Sequence, residues 1–126
     1  MSQYQDKDIK EITRLLEKTP DEEDLFAPIK TFRRRMIIRY LSHCPPDAAV
    51  DLRDITTSIS ALENGLPVNE VSNSEYTRTY TGISQRDTKK LSMMGILNTQ
   101  RKNTVTRGEK FEFYASILDD LDESLS

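Results

Sequence analysis

EYTRTYTGISQRDTKKLSMMGILNTQRKNTVTRGEK, residues 75–110, is the stretch whose reading decides the fold of this chain. It opens with helical spacing: Tyr76, Tyr80, Ile83, Leu91 and Met94 fall on one face at about 100° per residue. The opposite face collects Arg78, Gly82, Gln85 and Lys89, flanked by Arg86 and Lys90. Gly95 ends the helix. Ile96–Thr99 and Thr104–Thr106 then read as two short strands joined by Gln100-Arg101-Lys102-Asn103. The stretch carries eight Lys or Arg against three Asp or Glu, net +5, inside a chain whose formal charge is −3. A basic helix followed by a basic hairpin is the outline of a winged helix that touches a polyanion.

Two irregularities mark the helix 75–94. Asp87 falls on the apolar face, and Gly82 weakens the middle by up to ~1 kcal/mol. A break near Gly82, with Ser84 as N-cap and Asp87 as its capping-box partner, resolves both. In either register Gln85, Arg86 and Lys89 point outward, whereas the placement of Arg78 requires an unbroken helix.

The flanks supply the remaining elements. Residues 5–18 place Ile9, Ile12, Leu15 and Leu16 at helical spacing, closed by Pro20. The acidic run 21–24 reads as a linker or a helix start. From Leu25 to His43, Phe26, Ile29, Phe32, Met36, Ile37, Tyr40 and Leu41 keep a three-to-four spacing, and Pro45-Pro46 stops that helix. Asp51 caps a further helix carrying Leu52, Ile55, Ile59 and Leu62, which ends near Asn64-Gly65. Leu66 to Ser74 reads as a loop. Phe111 to Leu125 places Phe111, Tyr114, Ile117, Leu118, Leu121 and Leu125 along a last amphipathic helix. This helix packs back on the core or pairs with a second subunit.

The expected fold is therefore mainly α with a small β-hairpin, a winged helix-turn-helix with extra N- and C-terminal helices. Three parts are expected: an N-terminal helix and acidic linker over 1–24, the winged domain over 25–110, and a C-terminal helix over 111–126 suited to dimerisation. At 126 residues the chain has enough length for one core. It contains no apolar run of the ~20 residues that would span a bilayer. A single cysteine, Cys44, excludes an intramolecular disulfide framework. With no apolar stretch at its N-terminus, the chain is expected in the cytoplasm.

Charge is arranged in blocks. Residues 1–25 are net −4, 26–50 net +4, 51–74 net −3, 75–110 net +5 and 111–126 net −5. Acidic ends around two basic centres predict a surface with distinct faces.

Catalysis finds little support. His43, the only histidine, adjoins Cys44, but neighbours on a helix end diverge and cannot assemble a nucleophile with its base. A metal site would want further His or Cys partners. Gly65, Gly82, Gly95 and Gly108 are scattered and form no phosphate-binding loop. No enzyme activity, cofactor or metal is expected.

The basic helix and hairpin carry the functional expectation. Arginine and lysine pair with guanine acceptors in a major groove, and glutamine pairs with adenine. The DNA-binding residues expected are Arg78, Gln85, Arg86, Lys89 and Lys90 on the helix. Arg101, Lys102, Asn103 and Arg107, in a wing spanning 98–107, are expected to meet phosphates or the minor groove. Arg33, Arg34 and Arg35 form, with Arg39, a second basic centre. Three consecutive helical residues spread too far to serve one contact. Packing and surface pairing therefore weigh above DNA contact there, with backbone contact by Arg33 to Arg35 as a subsidiary expectation.

The stretch Phe26 to Leu41 with its Arg33-Arg34-Arg35, Val50-Asp51-Leu52-Arg53-Asp54-Ile55, and Tyr80, Ile83, Gln85, Lys90-Leu91, Gly95-Ile96 and Thr104-Val105-Thr106 together resemble a winged-helix family abundant in haloarchaea. That family is catalogued mainly as a domain of unknown function, and the likeness covers about residues 25 to 110. Asp87 and Thr88 depart from the histidine and leucine usual there. The resemblance implies a winged helix-turn-helix of archaeal type and, by analogy, transcription regulation. The function expected is a DNA-binding transcriptional regulator, a homodimer on double-stranded DNA with no membrane partner. The rival is a winged-helix module that recruits a protein and does not bind DNA.

Overall fold

A computed structural model describes residues 6–17, 25–101 and 103–125 of the chain. The expected linker or helix start at 21–24 lies outside the described residues. Helix α1 runs Asp6–Glu17. A 3₁₀ turn at Ala27–Ile29 precedes α2, Phe32–Ser42. Strand β1 is Val50–Asp51 and α3 is Leu52–Asn64. Helix α4, Asn73–Gly82, continues through a π-helical segment, Ile83–Asp87, into α5, Thr88–Met93. Strands β2, Leu97–Gln100, and β3, Thr104–Arg107, form the hairpin, and α6, Phe111–Leu125, follows.

The molecule is thus mainly helical with a small antiparallel sheet of three strands in the order β1-β3-β2. The sequence points to a hairpin alone. The third strand is only two residues long, too short for a period-two pattern to register. It pairs Val50 with Val105 and Asp51 with Thr104 along the edge of β3 that β2 leaves open.

The single helix expected from Leu25 to His43 is divided. Pro28 sits in the 3₁₀ turn, and Thr31 in an extended conformation (φ −108°, ψ 154°) caps α2 by accepting from the Arg34 amide. Asp51 caps α3 as expected, its side chain accepting from the Arg53 amide.

The core draws on every layer of the body. Ile37, Ile38 and Leu41 of α2 meet Leu52, Ile55 and Ile59 of α3, with Ile83 and Leu91 from the long helix. Leu97 and Val105 close it from the sheet, and Phe111, Tyr114 and Leu118 from α6. The first half of α6 therefore packs back on α2 within the same chain. Its later leucines, Leu121 and Leu125, emerge exposed.

The hairpin is seated by a close backbone approach. The Gly108 amide donates to the Ile96 carbonyl at 2.7 Å, and the Lys110 amide donates to the Gly95 carbonyl at 2.8 Å. A Cβ on Gly108 would collide with the Gly95 carbonyl, so only glycine lets the two chain segments meet.

Candidate nucleic-acid interface

The long helix begins one turn earlier than its basic residues require. Ser72 accepts from the Glu75 amide at 3.2 Å, and the Ser72 amide donates to the Glu75 carboxylate at 2.9 Å, a reciprocal capping box. These bonds, the backbone one foremost, hold the Glu75 carboxyl below its ordinary range. The box expected at Ser84 and Asp87 does not form. An N-cap must be extended, as Ser72 is (ψ 162°), whereas Gly82 (φ −63°, ψ −45°) and Asp87 (φ −74°, ψ −45°) remain helical.

The helix is instead continuous and widened. The Thr88 amide donates to the Ile83 carbonyl, five residues back, as a π-helix requires. Asp87 lies on the inner face, 1 % exposed. Its carboxylate accepts from Arg34 Nε at 3.0 Å, and Arg86 Nε stands 3.7 Å away. The irregularity visible in the sequence is a buried ion pair that fastens the helix to α2 across 53 residues of chain. Asp87 Oδ2 and Thr88 Oγ1 are buried without a hydrogen-bond partner among the described residues.

Gly82 lies against this junction. A Cβ there would run into Arg33 Nη1, while Arg86 Nη2 stands 3.5 Å from the same point. Arg33 thus crosses the helix at its glycine to reach Glu63, which it grips in two bonds, Nε to Oε2 at 2.7 Å and Nη2 to Oε1 at 3.0 Å. The Glu63 carboxylate raises the Arg33 guanidinium above its ordinary value. Two-point pairing of this kind fixes orientation as well as charge.

The basic residues divide into two groups. Arg78, Gln85, Arg86 and Lys89 are exposed along α4, the π segment and α5, and Lys90 is half-buried. Arg101 is exposed at the hairpin tip. Lys102 lies outside the described residues. Asn103 is held: Tyr80 donates its hydroxyl to Asn103 Oδ1 at 2.5 Å, and the Leu52 amide donates to the Asn103 carbonyl at 2.6 Å. This contact brings the hairpin tip beside α4, where Tyr76 stacks on Tyr80 at 5.7 Å.

The second group is directed inward. Arg34 donates to Asp87 and to the Ala27 carbonyl at 2.8 Å. Arg35 donates to the carbonyls of Ile29 and Lys30 at 3.0 and 3.1 Å. Arg107 caps the end of α2, donating to the Leu41 and Cys44 carbonyls at 2.9 and 3.1 Å, and lies 4.6 Å over the Phe111 ring. Its other amino group donates to Glu112 at 2.6 Å. Arg33, Arg34, Arg35 and Arg107 therefore organise the scaffold beneath the exposed group.

The S-x-x-E motif of Ser72 and Glu75 is a local signal for the helix start, whereas the Tyr80–Asn103 tie has no local signal in the sequence. His43 ends α2, and Cys44 Sγ donates to the Tyr40 carbonyl at 3.4 Å. Among the described residues no helix is long and apolar enough to cross a membrane.

A family model described as a domain of unknown function, DUF7344, matches residues 26–107, the span from the 3₁₀ turn to the last residue of the hairpin. No curated protein and no solved structure matches the chain.

Proposed function

The chain belongs to the DUF7344 family, and we propose that it is a winged helix-turn-helix protein that binds double-stranded DNA and regulates transcription as a homodimer. The order α2-β1-α3-α4/α5-β2-β3, with the sheet arranged β1-β3-β2, supports the winged reading. The observation that carries the DNA reading is the exposure of Arg78, Gln85, Arg86 and Lys89 on one long helix, with the hairpin tip tied beside it through Tyr80 and Asn103. The helix enters the major groove and offers guanidinium, amide and ammonium groups to base edges. Arg101 meets the flanking phosphates from the hairpin.

Arg33, Arg34, Arg35 and Arg107 act here as supports, because each already has partners inside the protein. Two-fold symmetry then matches the two halves of an operator.

The test is a mobility-shift series on random duplex at rising salt. Binding is expected to fall linearly on logarithmic axes, since each phosphate contact releases counterions. Arg86→Glu with Lys89→Glu should weaken binding by at least about tenfold per residue while leaving the circular dichroism spectrum unchanged. Undiminished binding by that variant defeats the proposed surface. The rival reading, a protein-recruiting module, draws on the exposed apolar residues of α1. It gains ground if no shift occurs even at the lowest salt.

A further inference from the structure

We propose that Tyr80 is a positioning residue for the duplex: through Asn103, its hydroxyl holds the hairpin tip and Arg101 at a fixed place beside the reading helix. This deepens the DNA reading and rests on it. The need for such a tie begins with the hairpin itself. Its strands, Leu97–Gln100 and Thr104–Arg107, are four residues each, and β2 is an edge strand of the sheet. Two short strands do not by themselves fix the direction of their turn in water. Arg101, exposed in that turn, is pre-organised for one phosphate only if contacts beyond the ladder hold it.

Asn103 supplies that hold with two of its groups. Its carbonyl accepts from the Leu52 amide at 2.6 Å, at the start of α3, and its Oδ1 accepts from the Tyr80 hydroxyl at 2.5 Å. One bond leaves the turn free to swing about it, whereas two bonds to different elements remove the swing. Further along β2, the Ser92 and Thr99 hydroxyls meet at 2.8 Å, so the strand also touches α5. The hairpin thus lies along the long helix, with Tyr80 as the attachment of its tip.

Tyr80 suits this role because its ring is placed without the bond. It packs against the hydrophobic core and stacks on Tyr76 at 5.7 Å, with 17° between the planes. Its position on the helix also keeps the tie clear of the reading side. Arg78 lies about 200° round the helix from Tyr80, and Thr81 about 100°. Arg101 is therefore held on one flank of the reading stripe, while Arg86 stands on the other, beside Gly82 and Arg33. Asn103 is an anchor inside the protein, and the neighbouring cation makes the contact.

Tyr80→Phe removes the hydroxyl and keeps the ring, and two measurements on the full chain read the result. Without DNA, NMR relaxation reports the tip: amide order parameters at Arg101 and Asn103 are expected near about 0.85 in the wild type and at about 0.6 or below in the variant. With random duplex, fluorescence anisotropy across a salt series counts phosphate contacts. Arg101→Ala is expected to lower the slope of log affinity against log salt by about one. Tyr80→Phe should lower it by the same amount, and the double variant by no more than either. A general loss of stability does not produce that shared decrement. Tip order that Tyr80→Phe leaves unchanged overturns the tie. So does a Tyr80→Phe slope equal to wild type, an Arg101→Ala slope equal to wild type, or decrements that add in the double variant. A wild type that binds no duplex at any salt defeats the DNA reading and the role of Tyr80 in it, whereas any of the other failures leaves the DNA reading standing.

Discussion

Asp87 is the residue on which the long helix turns. A carboxylate on an apolar face reads as an error in the pattern, and the misfit is legible from spacing alone. Its partner is not, because Arg34 stands 53 positions away and no local rule connects them. The side chains are 13 and 1 % exposed, so the pair is largely removed from water. Removing one member leaves a buried charge uncompensated, whereas replacing both with apolar groups removes the desolvation cost too. Arg34→Met should therefore cost about 3–5 kcal/mol in chemical denaturation. Arg34→Met with Asp87→Leu should recover most of that loss. A single variant that costs less than about 1 kcal/mol would show the pair to be dispensable.

Among the elements, those with long periodic patterns were legible: α3, α6 and the core-facing side of the 75–94 stretch follow from spacing. Short elements and irregular ones were not. The two residues of β1 carry no period, and the π segment uses residues no different from those of an α-helix. The helix start at Ser72 combines a legible motif with a competing one at Ser84, and backbone conformation decides between them. That start makes a prediction about acid. Glu75 is held below its ordinary value of 4.5, chiefly by the Ser72 backbone amide. Its ionised form therefore stabilises the folded state, and the contribution is complete above the unfolded value and fades as pH falls through the lower folded one. Denaturation at stepped pH should show wild type more stable than Glu75→Gln above about pH 4.5, with the gap closing below it. A gap that widens with acid would contradict the assignment.

At the scale of the whole molecule, the charge blocks of the sequence become faces only after folding sorts them. The +5 stretch divides into exposed groups on the helix and hairpin tip and an inward arginine, Arg107. The +4 block, residues 26–50, turns Arg33, Arg34 and Arg35 toward the body. Block charge was readable from composition. The division between scaffold and surface was not, because it depends on carbonyls and carboxylates supplied by distant elements. The widened turn at Ile83–Asp87 has a bearing on the tolerated length of this chain. A π turn holds one residue more than an α turn, so the helix stores a spare. Deleting Gln85 should let the turn relax to α geometry and keep Ile83 and Leu91 within about 20° of one another, seven residues apart. The same excision in α3 would swing half its buried face by about 100°. Melting curves of the two deletions should show the first folded and the second not, which makes the proposed reading helix the place where a single-codon loss is survivable.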